Sequence, residues 1–197
     1  MGAIRLRGQV IPALAAVALL CAAAPLACAQ TFVEVGAGWN FVAPAPFGDF
    51  YGRGYDIRVS AGRRVAPRVA LRLDFSLSEF AHDMQFYPPC LFPGCLHPYY
   101  YETQMGIAGL SANAVVNLDR RGLLYVTGGA GVFDRYDQPA SVFGGVSFGA
   151  GLSVPIRGRL RAFVEADKHI FAGDISHPPW IVPLTFGVRI PHGLGAP

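Results

Sequence analysis

The sequence predicts an all-β fold: an eight-stranded antiparallel up-and-down transmembrane β-barrel. Three observations predict it. Eight segments alternate apolar with small or polar residues at a period of two, the spacing that sends successive side chains to opposite faces of a strand. Hydrophobic residues make up 52% of the chain, yet beyond the N-terminal stretch no window reaches the ~18 apolar residues of a spanning helix, so the apolar content must be delivered in strands. The connections between the segments alternate long, short, long, short along the chain.

The chain opens with Arg5 and Arg7, an apolar run over residues 10–26, and then Ala27-Cys28-Ala29, the small-x-small pattern that signal peptidase accepts before Gln30. Residues 1–29 therefore read as a secretory signal peptide, with residues 30–197 as one membrane β-barrel domain. A retained anchor is the alternative, but Pro12 and Pro25 interrupt a run already short for a spanning helix. Cleavage would leave 168 of the 197 residues and lower the formal charge from +3 to +1. Arginines are spread between acids rather than clustered along the sequence, which argues against nucleic-acid binding.

The first strand is predicted over residues 31–41, with Val33, Val35, Ala37, Trp39 and Phe41 on one face and Glu34, Gly36, Gly38 and Asn40 on the other. The second, 54–64, sets Tyr55, Ile57, Val59 and Ala61 against Asp56, Arg58, Ser60 and Gly62. In the third, 68–78, Val69, Leu71, Leu73, Phe75 and Leu77 alternate with Ala70, Arg72, Asp74, Ser76 and Ser78, a parity no helix would keep. The fourth, 102–118, alternates similarly, with Val115 an exception on the polar side. The fifth, 123–133, is glycine-rich; the sixth covers 141–154. The seventh, 160–171, places Arg161, Glu165, Asp167 and His169 opposite Leu160, Ala162, Val164 and Ala166. The eighth, 180–190, has six apolar residues on one parity, from Trp180 to Ile190, against Ile181, Pro183, Thr185, Gly187 and Arg189.

Segments 41–54, 79–101, 134–140 and 172–179 are the long connections; 65–67, 119–122 and 155–159 are the short ones. Outer-membrane barrels have short periplasmic turns and longer extracellular loops, so the chain is expected to start and end on the periplasmic side. Aromatics near the long-loop ends, among them Trp39, Phe41, Tyr55, Phe80, Phe133, Phe171 and Trp180, are expected to form an outer girdle. A soluble lipocalin-like barrel with its apolar face inward would show the same parity. Its exterior, however, should be rich in Lys, Glu, Thr and Gln, whereas the polar parity here is mostly Gly, Ser and Asn, and Lys168 is the single lysine. A genome that favours arginine would also deplete lysine.

These residues resemble the small eight-stranded outer-membrane proteins of the OmpA/OmpX type. The resemblance covers the whole mature chain and rests on architecture, with one partial motif: Thr185-Phe186-Gly187-Val188-Arg189-Ile190 fits the C-terminal assembly signal, polar-x-Gly-x-x-apolar. Pro191 to Pro197 follow it, where the family often ends on an aromatic. The resemblance implies a location in the cell outer membrane of a Gram-negative envelope. It implies contact with outer-membrane lipid and lipopolysaccharide, and handling by periplasmic chaperones and the barrel-assembly machinery. A monomer is expected, with no cofactor.

The candidate lumen charge network comprises Glu34, Asp56, Arg58, Arg72, Asp74, Arg161, Glu165, Asp167 and Arg189. Buried charges must pair, so the set reads as a salt-bridge plug, with a gated small-solute pore as the alternative. Cys90 and Cys95 read as a loop disulfide in an oxidising compartment; a thiolate metal site would need further ligands, with His82 and His97 nearby, and no metal is expected. The protein is expected to be non-enzymatic, with a structural or surface-interaction role whose recognition element is the 79–101 segment. A lipid A-modifying enzyme is the alternative from another class, drawing on Glu165, Asp167, His169, Ser176 and His177, although the deacylase His-x-Ser-Asn signature is not present.

Overall fold

The computed structural model describes residues 30–42, 54–86, 99–135, 141–172 and 180–192. The segment read as a signal peptide, and Cys90, Cys95, Ser176 and His177, lie outside the described residues. The eight strands are β1 (Thr31–Val42), β2 (Gly54–Ala66), β3 (Val69–Phe86), β4 (Tyr99–Asn117), β5 (Leu124–Arg135), β6 (Ser141–Arg157), β7 (Leu160–Phe171) and β8 (Trp180–His192). Each pairs antiparallel with its sequence neighbour, and β1 pairs with β8, so the sheet closes into a barrel with no open edge between its first and last strands. A strand of 12 residues such as β1 is about 40 Å long and, tilted by about 45°, covers the ~25 Å apolar band of an outer-membrane barrel.

The alternation sorts itself with the greasy parity outward. Val33, Val35, Trp39, Tyr55, Ile57, Leu71, Leu110, Val132, Val146, Phe148 and Phe186 all stand exposed on the outer wall, Val142 to 70%. Their even-numbered neighbours in β1, and the matching parity elsewhere, are buried polar groups: Glu34, Asn40, Asp56, Ser60, Arg72, Glu165 and Thr185 are all at or below 2% exposure. A wall that is apolar outside and polar inside is the reverse of a lipocalin-like barrel, and that alternative falls with it.

Two of the short connections turn on glycine. Gly122 and Gly158 have φ of 63° and 57°, a region open to glycine without Cβ strain. In the β4–β5 turn, Asp119 gathers the backbone N–H groups of Arg121, Leu123 and Leu124 on its carboxylate at 2.7–2.9 Å. Three amides that would otherwise depend on water are thereby satisfied within the turn.

At the opposite end β3 and β4 continue past their neighbours. Their pairing runs six rungs beyond Phe80↔Met105, to Phe86↔Tyr99, while β2 starts opposite Phe80 and β5 ends opposite Ile107. Residues 79–86 and 99–101, expected as loop, are therefore strand, and the β3–β4 ribbon continues for about 20 Å of strand length beyond its described neighbours. Alternation in 79–86 is blurred by Glu79, His82 and Asp83, which is why period two alone ends the strand too early.

Candidate functional site

The barrel interior is built in three layers, each dictated by which inward position of each strand carries which residue type. Toward the short-turn end, Phe32 of β1, Ala70 of β3, Val115 of β4 and Tyr125 of β5 form one apolar cluster. Val115, the break in the polar parity of β4, is buried here at 2%. Toward the long-loop end, Phe80, Ile107, Phe133, Phe143, Phe171 and Ile181 form a second. Phe133, Phe143 and Phe171 pack on one another with ring centroids 4.9–6.1 Å apart, the spacing of aromatic pairs that stack or meet edge to face.

Phe80, Phe133 and Phe171 thus line the lumen and do not belong to the outer girdle expected from their position near strand ends. The reason is parity: Phe80 lies two residues beyond Ser78, Phe133 two beyond Gly131, and Phe171 two beyond His169, all inward positions. Trp39, Phe41 and Tyr55 do stand exposed on the outer wall, as a girdle requires.

Between the two apolar layers lies the charged layer, centred on Arg72. Its Nη1 donates to Glu34 at 3.1 Å and to Glu165 at 2.8 Å, its Nη2 donates to Glu165 at 2.6 Å, and its Nε donates to Asp74 at 3.0 Å. One planar guanidinium thus bridges carboxylates from β1, β3 and β7, a fork geometry that lysine could not reproduce. Arg58 of β2 donates through Nη1 to Glu165 at 2.5 Å and Asp167 at 2.8 Å, and its guanidinium lies 5.5 Å from the Phe163 ring centre. Arg189 of β8 donates to Glu34.

The network holds three guanidinium groups against five carboxyl groups, and neutral donors serve what the arginines do not reach. Ser78 and Thr185 hydroxyls donate to Asp56 at 2.9 and 3.2 Å, and Thr127 donates to Asp167 at 2.8 Å. The Asn113 amide donates to Asp74 at 2.7 Å while its carbonyl accepts from Ser147. Nothing in the sequence singles out these hydroxyl and amide partners beyond their share in the inward parity.

Of the nine charged residues expected in the lumen, eight lie in this layer and Arg161 does not. Arg161 sits at the short-turn mouth, where Nε donates to the Ser153 hydroxyl and Nη2 to the Ser153 and Gly122 carbonyls, each at 2.7–2.9 Å. As the second residue of β7 it lies at the short-turn mouth, four residues before Glu165, and makes no ion pair with the acids of the charged layer.

Beside the charged layer a space of about 10 Å³ remains, bordered by Asp56, Arg58, Asp74, Asn113 and Asp167, enough for about one water molecule. At the short-turn mouth the barrel opens instead into a vestibule of about 510 Å³. Among the described residues no group of three or more His, Cys, Asp or Glu side chains is placed to hold a metal ion.

No protein-family model matches the sequence, and no curated protein matches it. Solved structures do resemble it. Neisserial surface protein A superposes with a TM-score of 0.57 at 15% identity, covering 83% of this chain and 98% of that one. A major outer membrane protein from Thermus thermophilus gives 0.50 at 16%, covering 84% and 100%. At such identities the likeness concerns backbone architecture, and it extends over nearly the whole of both neighbours. With its closed ring of eight antiparallel strands, apolar outside and charged within, the chain has the fold of the small eight-stranded outer-membrane β-barrels.

Proposed function

We propose that the protein is a non-enzymatic outer-membrane barrel with a structural or surface-interaction role, its lumen filled by side chains. The observation that carries this reading is the sealed interior: the Arg72 network, capped by the Phe133–Phe143–Phe171 cluster on one side and the Phe32–Tyr125 cluster on the other. Eight strands enclose a bore that side chains fill, and these leave room beside the charged layer for about one water. The fold of the structural neighbours and the continuous apolar outer wall support residence in the outer membrane, with lipid acyl chains as the partner of Val33, Trp39, Phe148 and Phe186.

With the lumen closed, specificity falls to the outer face, and the projecting β3–β4 ribbon is the natural recognition element. A disulfide between Cys90 and Cys95 would tether its tip and lower the entropy lost on binding. The lipid A-modifying alternative loses two of its candidates, since Glu165 and Asp167 are held by Arg58 and Arg72 inside the barrel and do not face lipid. Planar-bilayer recording of the refolded protein tests the reading. Only brief or no conductance steps are expected; steady large openings would overturn the plug and favour the pore.

A further inference from the structure

We propose that the vestibule at the short-turn mouth is a binding site for a phosphate-bearing anion. Six arginines line it: Arg64, Arg120, Arg121, Arg159, Arg161 and Arg189. The single acid in its lining, Asp119, is occupied by three backbone N–H groups of its own turn. Among the described residues, no ion pair joins Arg64, Arg120, Arg121 or Arg161 to a carboxylate.

Two of the six are fixed in place without being neutralised by an acid of the vestibule. Arg161 is anchored by the Ser153 hydroxyl and by the Ser153 and Gly122 carbonyls, which orient its guanidinium but carry no counter-charge. Arg189 forms the floor, its guanidinium 4.9 Å from the Phe32 ring centre and 5.2 Å from that of Tyr125. Its Nε is engaged by Glu34, while its buried Nη2 has no hydrogen-bond partner. A buried guanidinium N–H left open is costly, and a ligand oxygen reaching the floor would satisfy it.

A concave site with low-dielectric walls focuses the field of such charges, and about 510 Å³ is within the range of small-ligand pockets. Arginine forks match phosphate oxygens in pairs, so the chemistry selected is a phosphate or phosphate ester. That group could arrive on a soluble periplasmic molecule or as the headgroup of an inner-leaflet lipid folded over the rim.

The test is pyrophosphate titrated calorimetrically into the refolded barrel in zwitterionic phosphatidylcholine nanodiscs, with folding of each variant checked by heat-modifiable gel mobility. Saturable binding is expected. It should weaken at least five-fold in Arg161→Gln and in Arg121→Gln, and stay unchanged in Arg68→Gln, which lies outside the vestibule lining. Arg121 is in an exposed turn, so its variant keeps the test decisive if Arg161→Gln fails to fold. Repeating the titration in phosphatidylglycerol nanodiscs separates the sources: suppressed pyrophosphate binding assigns the site to a lipid headgroup, undiminished binding to a soluble anion. No saturable binding, or an affinity that neither variant moves, overturns the proposal.

Discussion

Glu34 and Arg189 stand directly opposite each other across the seam where β1 meets β8, and the Arg189 Nε–H donates to the Glu34 carboxylate. The first and last strands of the barrel are thus joined by an ion pair inside the wall as well as by their backbone ladder. Glu34 is 1% exposed and also accepts from Arg72, so its removal takes from Arg189 the carboxylate its Nε donates to and leaves Arg72 with two of its three acids. Breaking one side of a buried pair costs about 3–5 kcal/mol. Glu34→Ala is therefore expected to lower the unfolding free energy by an amount in that range, measured by denaturant titration of the barrel in lipid vesicles. The double variant Glu34→Gln/Arg189→Met should lose less than the two single variants combined, because each single leaves a partner that the other removes. Strict additivity would mean the seam pair contributes nothing.

Arg72 and Arg58 offer a comparison within one network. Arg72 bridges Glu34, Asp74 and Glu165, whereas Arg58 reaches two carboxylates and leaves Nε and Nη2 without partners. Arg72→Met should consequently destabilise more than Arg58→Met, by roughly 2 kcal/mol, since it leaves three acids facing one another without their shared cation. Equal losses in vesicle unfolding would show that the network is not centred on Arg72.

Much of this interior is legible from parity alone. Once Val33, Leu71 and Phe186 are turned outward, Glu34, Arg72, Thr185 and Arg189 have nowhere to go but inward, and the closing register of β1 on β8 then sets Glu34 opposite Arg189. Parity does not give height. Arg161 shares the inward parity of Glu165 but sits four residues nearer the mouth, and that distance of about 13 Å takes it out of the network and into the vestibule. Phe80 and Phe133 pose the converse problem: nearness to a strand end suggests the rim, whereas their parity points into the lumen, and parity wins because it is fixed by the pleat. The vestibule is invisible in the sequence, because its arginines come from turns and strand ends as far apart as Arg64 and Arg189, and only closure of the ring brings them together.

Gly62 faces the ring of Phe32 across the first hairpin. A Cβ built there would lie 2.1 Å from Phe32 Cζ, closer than any real contact, and its three nearest atoms all belong to that ring. Gly62→Ala should therefore push Phe32 off its place against Arg189 and Tyr125, at a cost of about 1–3 kcal/mol for overpacking. The same substitution in a Phe32→Leu background is expected to cost less than half as much, because the obstructing ring end is gone. Unfolding of the four proteins in a double-mutant cycle checks it, and equal costs in both backgrounds would place the strain elsewhere.

Asp119 gives the β4–β5 turn a pH dependence of its own. Hydrogen bonds from the N–H groups of Leu124, Arg121 and Leu123 favour its ionised form and hold its carboxyl below the ordinary aspartate range. A group whose pKa is lower in the folded state adds stability that is fully present above its unfolded value, about 3.9, and that disappears as pH falls through the folded value. Asp119→Asn keeps one acceptor oxygen but no charge, so it should be less stable than the parent at pH 6, and the gap should narrow as pH falls below about 3.9. Vesicle unfolding midpoints of the two proteins, followed from about pH 6 to about pH 2.5, provide the comparison. A gap between them that stays constant down the whole range would mean that the turn relies on the shape of the Asp119 side chain and not on its charge.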